Sequence, residues 1–122
     1  MTIEKPALLI DIDGTILFHE EDFLDSITNN HLPALPEVRD KLCKWHCKGY
    51  QIVLITARPE SLERLTREQL ANAGIVFDRL VMGICPGIRY IINDKSPRNP
   101  DIDKAVAINL QRNEGFAGIN LP

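Results

Sequence analysis

The chain has 122 residues, room for one compact domain. Hydrophobic residues make up 44% and charged residues 25%, and 14 basic against 17 acidic side chains leave a net charge of −3. That composition excludes a disordered chain, and the absence of a long run of like charge argues against a nucleic-acid arm or tail. No apolar stretch is longer than Ala7 to Ile10 or Ile52 to Ile55, far short of the ~20 residues of a membrane-spanning helix. Met1 to Pro6 lacks the pattern of a signal peptide, and three cysteines do not suit a disulfide framework. The expectation is one cytosolic domain over 1–122.

Lys5 to Asp13 reads as a buried strand whose apolar run does not alternate. Residues 17–34 are acidic and poorly periodic, a flap with Phe18, Phe23 and Leu24 as its apolar contacts. Pro36 opens a helix in which Val38, Leu42 and Trp45 share a face, and Gly49 stops it. Gln51 to Ala57 is a second continuous apolar strand. Pro59 starts the next helix, with Leu62, Leu65, Leu70 and Ala73 as its core stripe and Gly74 at its end. Strands follow at Leu80–Met82, Arg89–Asn93 and Ala105–Leu110.

Two β-then-α units in succession predict an α/β fold, a Rossmann-like three-layer domain with a mainly parallel sheet. Only Gly83 to Ile88 separate the third and fourth strands, too few residues for a parallel crossover. The strand at about 80–83 is therefore expected to run antiparallel to the fourth or to be very short and displaced.

In open α/β sheets ligands bind beyond the carboxyl ends of the strands. Three such ends carry polar groups: Asp11-Ile12-Asp13-Gly14-Thr15, Thr56-Ala57-Arg58 and Asn93-Asp94-Lys95. Side by side they would gather three carboxylates, a hydroxyl and two cations. Crowded carboxylates repel unless a cation sits among them, and oxygen donors without His or Cys favour Mg²⁺. The helix that Pro59 opens can receive an anion at its N-terminus. Cation and anion sites side by side point to phosphoryl chemistry.

These residues, in this order, resemble the motifs of the haloacid dehalogenase superfamily of aspartate-nucleophile phosphohydrolases. Its first motif is matched by Asp11-Ile12-Asp13-Gly14-Thr15, its second by Thr56, and its fourth by Asp94 after Ile91-Ile92-Asn93. The resemblance spans about residues 7–110. It implies that Asp11 is the nucleophile and Asp13 the acid and base. It further implies that Thr56 binds a phosphoryl oxygen, and that Asp11, the Asp13 carbonyl and Asp94 hold Mg²⁺.

The superfamily's third motif, a Lys or Arg, is missing from Gly83 to Ile88. Arg58 and Lys95 are the candidates to replace it at the phosphate, although Arg58 also suits bracing its loop and Lys95 pairing with Asp94. Arg89 is a poor substitute in a straight strand, because Asp94 would lie ~16 Å further along. Asn93 stands where many relatives have a second Asp.

Asp13 and Thr56 are 43 residues apart, and neither that stretch nor the one after Thr56 holds a cap domain. Capless relatives take large substrates or borrow a lid from a neighbouring subunit, so an open site or a homo-oligomer is implied. The Asn-Asp-Lys ending is similar to small members associated with sugar-phosphate and surface-polysaccharide synthesis, making a phosphorylated sugar the first substrate expectation. A nucleotide or polynucleotide phosphatase and a non-hydrolytic phosphate-binding or regulatory domain are the alternatives. A membrane partner is not expected, and the net negative charge argues against long nucleic acid. Cys43, His46 and Cys47 lie within one turn of helix but are too few for a structural zinc site.

Overall fold

The structure is a computed structural model that describes residues 4–122, leaving aside the side chain of Phe23. Met1 to Ile3, part of the stretch inspected for a signal peptide, and the Phe23 contact expected in the flap lie outside the described residues. The elements in chain order are β1 (Ala7–Asp11), α1 (Phe23–Thr28), α2 (Val38–Cys47), β2 (Gln51–Ile55), a 3₁₀ turn (Glu60–Leu62), α3 (Glu63–Asn72) and β3 (Arg79–Val81). Among the described residues the sheet has three strands in the order β1-β2-β3, both pairs parallel. It is a small α/β structure, and no helix among the described residues is long and apolar enough to cross a membrane.

The register explains which face is packed. Leu8 pairs with Ile52, and Ile10 with Leu54, which in turn meets Leu80. These alternate residues point to one side, where Ile52 and Leu54 are fully buried. Right-handed crossovers stepping in one direction put α2 and α3 on a single face of such a sheet. Val38, Leu42 and Trp45 of α2 are buried there, at the spacing that the sequence shows. The opposite side is open: Leu9 is 51% exposed, while Val53 and Ile55 are half-buried. The apolar runs of β1 and β2 thus do not bring the burial on both faces expected from the sequence.

Of the two alternatives for the third strand, the short one holds: β3 is three residues long and runs parallel to β2, with no antiparallel partner among the described residues. One further expectation is corrected. Residues 89–93 and 105–110 form no strand, and Ile88, Tyr90, Ile91, Ile92, Val106 and Ile108 are exposed. The cause lies in the connection. β3 ends level with Asp11 and Ile55, and the Ile84 N–H donates to the Thr56 carbonyl at 3.0 Å, holding the chain at the carboxyl end of β2. Cys85 to Ile88 are too few to bring the chain back to the start of β1 for parallel pairing.

The C-terminal segment returns to the packed region. Phe116 is buried, with its ring centroid 5.8 Å from that of Trp45, and its N–H donates to the Pro36 carbonyl at 3.0 Å. Lys41 donates from Nζ to the carbonyls of Phe116 and Ile119 at 2.7 and 2.6 Å. Gly115 makes this approach feasible: its φ is +84°, and a Cβ there would lie 2.3 Å from the Pro36 oxygen.

Candidate functional site

β1 delivers Asp11 at its carboxyl end, and the chain then curls at once. The N–H groups of Thr15, Ile16 and Leu17 all turn back to the Ile12 carbonyl, and Gly14 donates to the Leu17 carbonyl at 2.8 Å. Gly14 sits at φ +84°, a conformation that disfavours a side chain. This curl puts Asp13 beside the end of β2 rather than further along a strand. Thr56 follows β2 and donates its N–H to the Val81 carbonyl at 3.0 Å. Asp11, Asp13 and Thr56 thus belong to one end of the sheet, as the sequence pattern anticipates.

Arg58 does something the sequence left open. Its guanidinium takes both oxygens of Asp13, Nε to Oδ2 at 2.9 Å and Nη2 to Oδ1 at 2.7 Å, a two-pronged ion pair. Its Nη1 donates to Thr66 Oγ1 at 3.1 Å and to Gln69 Oε1 at 2.6 Å. With Arg58 only 3% exposed, these bonds explain how a buried cation is tolerated. Arg58 is therefore committed to bracing Asp13 rather than free to meet a phosphate. Thr56 Oγ1 is also engaged, accepting the Arg58 backbone N–H at 3.0 Å. The same network explains why Thr66 and Gln69 are buried on α3 beside Leu70, where the apolar stripe predicted Leu65 and Ala73, both only half-buried.

Asp11 is half-buried, and burial is the main cause raising its carboxyl above the ordinary 3.8. Arg89 pulls the other way, with Nη2 3.4 Å from Asp11 Oδ1, and the Asp13 carboxylate adds a smaller upward push. The structure thus corrects the reading of Arg89 as badly placed: without a strand to carry it along β1, it meets Asp11 directly. The aliphatic part of Arg112 packs over Gly14, its Cγ 3.0 Å from where a Cβ would stand.

Among the described residues no hydrogen bond or ion pair joins Asp94 or Lys95 to this end of the sheet. Asp94 is exposed and pairs with Lys104, whose hydrogen bond holds its carboxyl below the usual value. Lys95 lies 3.4 Å from Asp103, also in the open. No group of three or more acidic, His or Cys side chains able to hold a metal occurs among the described residues. Of the set that the resemblance implies, Asp11, the Asp13 carbonyl and Asp94, the Asp94 carboxylate is engaged by Lys104 and the Asp11 carboxylate faces the Arg89 guanidinium. With both carboxylates paired to cations, these donors do not fit a Mg²⁺ site as they stand.

Sequence reasoning missed Gln69 and Asn113 and set Arg89 aside. Asn113, at φ +65°, accepts the His19 N–H on Oδ1 at 2.7 Å and donates from Nδ2 to the His19 carbonyl at 3.1 Å. Its own N–H donates to the Gly14 carbonyl at 2.8 Å, joining the tail to the curl after β1. The turn-like Asn113-Glu114-Gly115 was the available signal, but nothing in it named Gly14 as the partner. Concavities of about 390 and 440 Å³ lie elsewhere, one beside His31 and Arg39, the other beside Tyr50 and Asp78.

No protein-family model matches the chain, and no curated protein matches it. Solved structures do. A class C acid phosphatase from Bacillus anthracis, determined with tungstate bound, aligns over 66% of this chain with a TM-score of 0.56 and 23% identity. A structural-genomics target from Vibrio cholerae aligns over 80% of this chain and 89% of its own, with a TM-score of 0.54 and 16% identity. The shared property is the fold. The alignment covers 41% of the acid phosphatase, so this chain spans about two fifths of that enzyme.

Proposed function

We propose that the protein is a phosphomonoester hydrolase of the haloacid dehalogenase type, with Asp11 as nucleophile. The observation that carries this reading is the pair formed by Asp11 at the end of β1 and Asp13 on the curl after it, with Asp13 held by Arg58 from the end of β2. The motif order and the fold shared with an acid phosphatase support it. An oxygen of Asp11 would attack phosphorus, forming an acyl phosphate as the bond to the leaving oxygen breaks. A proton from Asp13 would go to that oxygen, and Asp13 would then take one from the water that cleaves the acyl phosphate. Although Arg58 occupies both Asp13 oxygens, a carboxylate has about four lone-pair sites, so proton transfer remains open.

Arg89 is the proposed successor to the missing third-motif cation. It neutralises Asp11 in the free protein and would turn to a phosphoryl group when one arrives. Thr56, Arg58 and Lys95 were the phosphate candidates from sequence, and Arg58 is taken up by Asp13. Thr56 keeps that role in the proposal because its hydroxyl hydrogen is not committed by the bond that its oxygen accepts. Lys95, tied to Asp103, does not. No step is derived through Mg²⁺, and the assay decides whether turnover depends on it. A phosphorylated sugar is the first substrate to try.

The test is phosphate release from phosphorylated sugars, nucleotides and an aryl phosphate, with and without Mg²⁺, for the wild type and Asp11→Asn. Release by the wild type, reduced at least about a thousandfold in Asp11→Asn, is expected. No release from any substrate would favour the phosphate-binding domain instead.

A further inference from the structure

The bonds that brace Asp13 do not end at Arg58. Gln69, fully buried on α3, accepts from Arg58 Nη1 at 2.6 Å through its oxygen. Its amide nitrogen donates to the carbonyls of Ser26 at 2.6 Å and Asn29 at 2.8 Å, the end of α1 and the residue after it. Both faces of one amide are thus used, one on the Asp13 brace and the other on the flap. Ser26 is itself buried, and its hydroxyl accepts the Glu20 N–H at 3.3 Å. A chain of four groups therefore runs from the flap to the site: α1 carbonyls, Gln69, Arg58, Asp13.

We infer that Arg58 and Gln69 are positioning residues that tie Asp13 to the flap, so that the carboxyl is held for proton transfer only while residues 26–29 rest on α3. This deepens the proposed function and rests on Asp13 as its acid and base. The alternative is that the network merely satisfies a buried arginine. Every hydrogen bond named would exist in either case, so cutting a link is what separates the two. In a coupled network a change at Asp13 loosens residues 26–29, and releasing those residues from Gln69 disturbs Asp13, by the reciprocity of linked equilibria. A purely structural role alters stability without singling out the proton-transfer step.

Two links can be cut selectively. Gln69→Glu keeps an oxygen for Arg58 but loses both donors to the flap carbonyls. Arg58→Lys keeps the charge but loses the two-pronged grip on Asp13. Asn72 is the control, since it donates to the Asn30 carbonyl at 2.9 Å from the same helix and has no bond to Arg58. Asn72→Ala therefore removes a flap anchor outside the network.

The first measurement is kcat/KM for a 4-nitrophenyl ester, whose leaving group needs little protonation, against an alkyl or sugar phosphate, whose leaving oxygen does. Arg58→Lys and Gln69→Glu should lose about a hundredfold with the poor leaving group and under about threefold with the good one. Asn72→Ala should lose the same small factor with both. Equal losses on both substrates in Arg58→Lys and Gln69→Glu would overturn the inference.

The second measurement, hydrogen exchange of the amides of residues 24–30, needs no turnover. Exchange about tenfold faster in Asp13→Asn and in Arg58→Lys is expected, and unchanged exchange in both would overturn the coupling. A wild type that hydrolyses nothing would defeat the proposed function, while the exchange data would still decide whether Asp13 and the flap are linked.

Discussion

Residues 7–81 and residues 84–110 carry similar apolar content yet are treated differently by the fold. The first stretch pairs three strands in register and buries Ile52, Leu54, Val38, Leu42 and Leu70 completely. The second contains Ile88, Tyr90, Ile91, Ile92, Val106 and Ile108, all exposed, with Ile92 at 91%. Composition does not separate them; connection length does. β1 reaches β2, and β2 reaches β3, through a helix long enough for a parallel return, whereas only a few residues link β3 to Arg89. The site divides along the same line. Asp13, Thr56 and Arg58 come from the packed stretch and are joined by short bonds, whereas Asp94 and Lys95 come from the other and pair locally with Lys104 and Asp103. Arg89 alone of the site residues crosses the line, 3.4 Å from Asp11.

The sharpest way to break this comparison is to remove one apolar side chain from each stretch. Leu54→Ala should cost about 2–5 kcal/mol in denaturant unfolding, and Ile92→Ala less than about 0.5 kcal/mol. A cost of about 2 kcal/mol or more at Ile92 would mean that residues 89–93 are packed in solution as Leu54 is. The returning tail belongs with the packed stretch despite its position in the chain. Gly115→Ala, which drives a methyl into the Pro36 carbonyl, should cost about 1–3 kcal/mol. Unchanged stability there would place the tail with residues 84–110.

A smaller effect concerns Asp11. Its carboxyl is raised above 3.8 mainly by burial, so the folded metal-free protein holds that proton more tightly than the unfolded chain. Charged Asp11 therefore opposes folding above the raised value, and its protonation favours folding as the pH falls through the window between that value and 3.8. Asp11→Asn should accordingly melt slightly higher than the wild type at pH ~7, with the gap closing as the pH falls through that window. Melting curves at neutral pH and just above pH 3.8 check the sign, and a lower melting temperature for Asp11→Asn at neutral pH would contradict it.

What could be read from the sequence was whatever local spacing determines. Val38, Leu42 and Trp45 announce their helix, and Gly49, at φ +87°, ends it as the sequence implies. The Asp11 to Thr15 motif lies where an apolar strand stops. Contacts set by tertiary geometry were beyond reach. Nothing local to Gln69 says that a guanidinium from 11 residues earlier needs its oxygen, or that carbonyls about 40 residues earlier need its nitrogen. A polar residue in an amphipathic helix reads as solvent-facing until its partners are known. Arg89 was misjudged for a related reason: its distance from the site was reckoned along a strand that the short connection does not allow.

The central claim is that Asp11 attacks phosphorus. Its most direct test is to quench the wild-type protein in acid during turnover of a phosphomonoester that it hydrolyses and map phosphate adducts by mass spectrometry. An acid-stable, hydroxylamine-labile phosphate is expected on the peptide containing Asp11, and none in Asp11→Asn. Phosphate release by Asp11→Asn at the wild-type rate would contradict it.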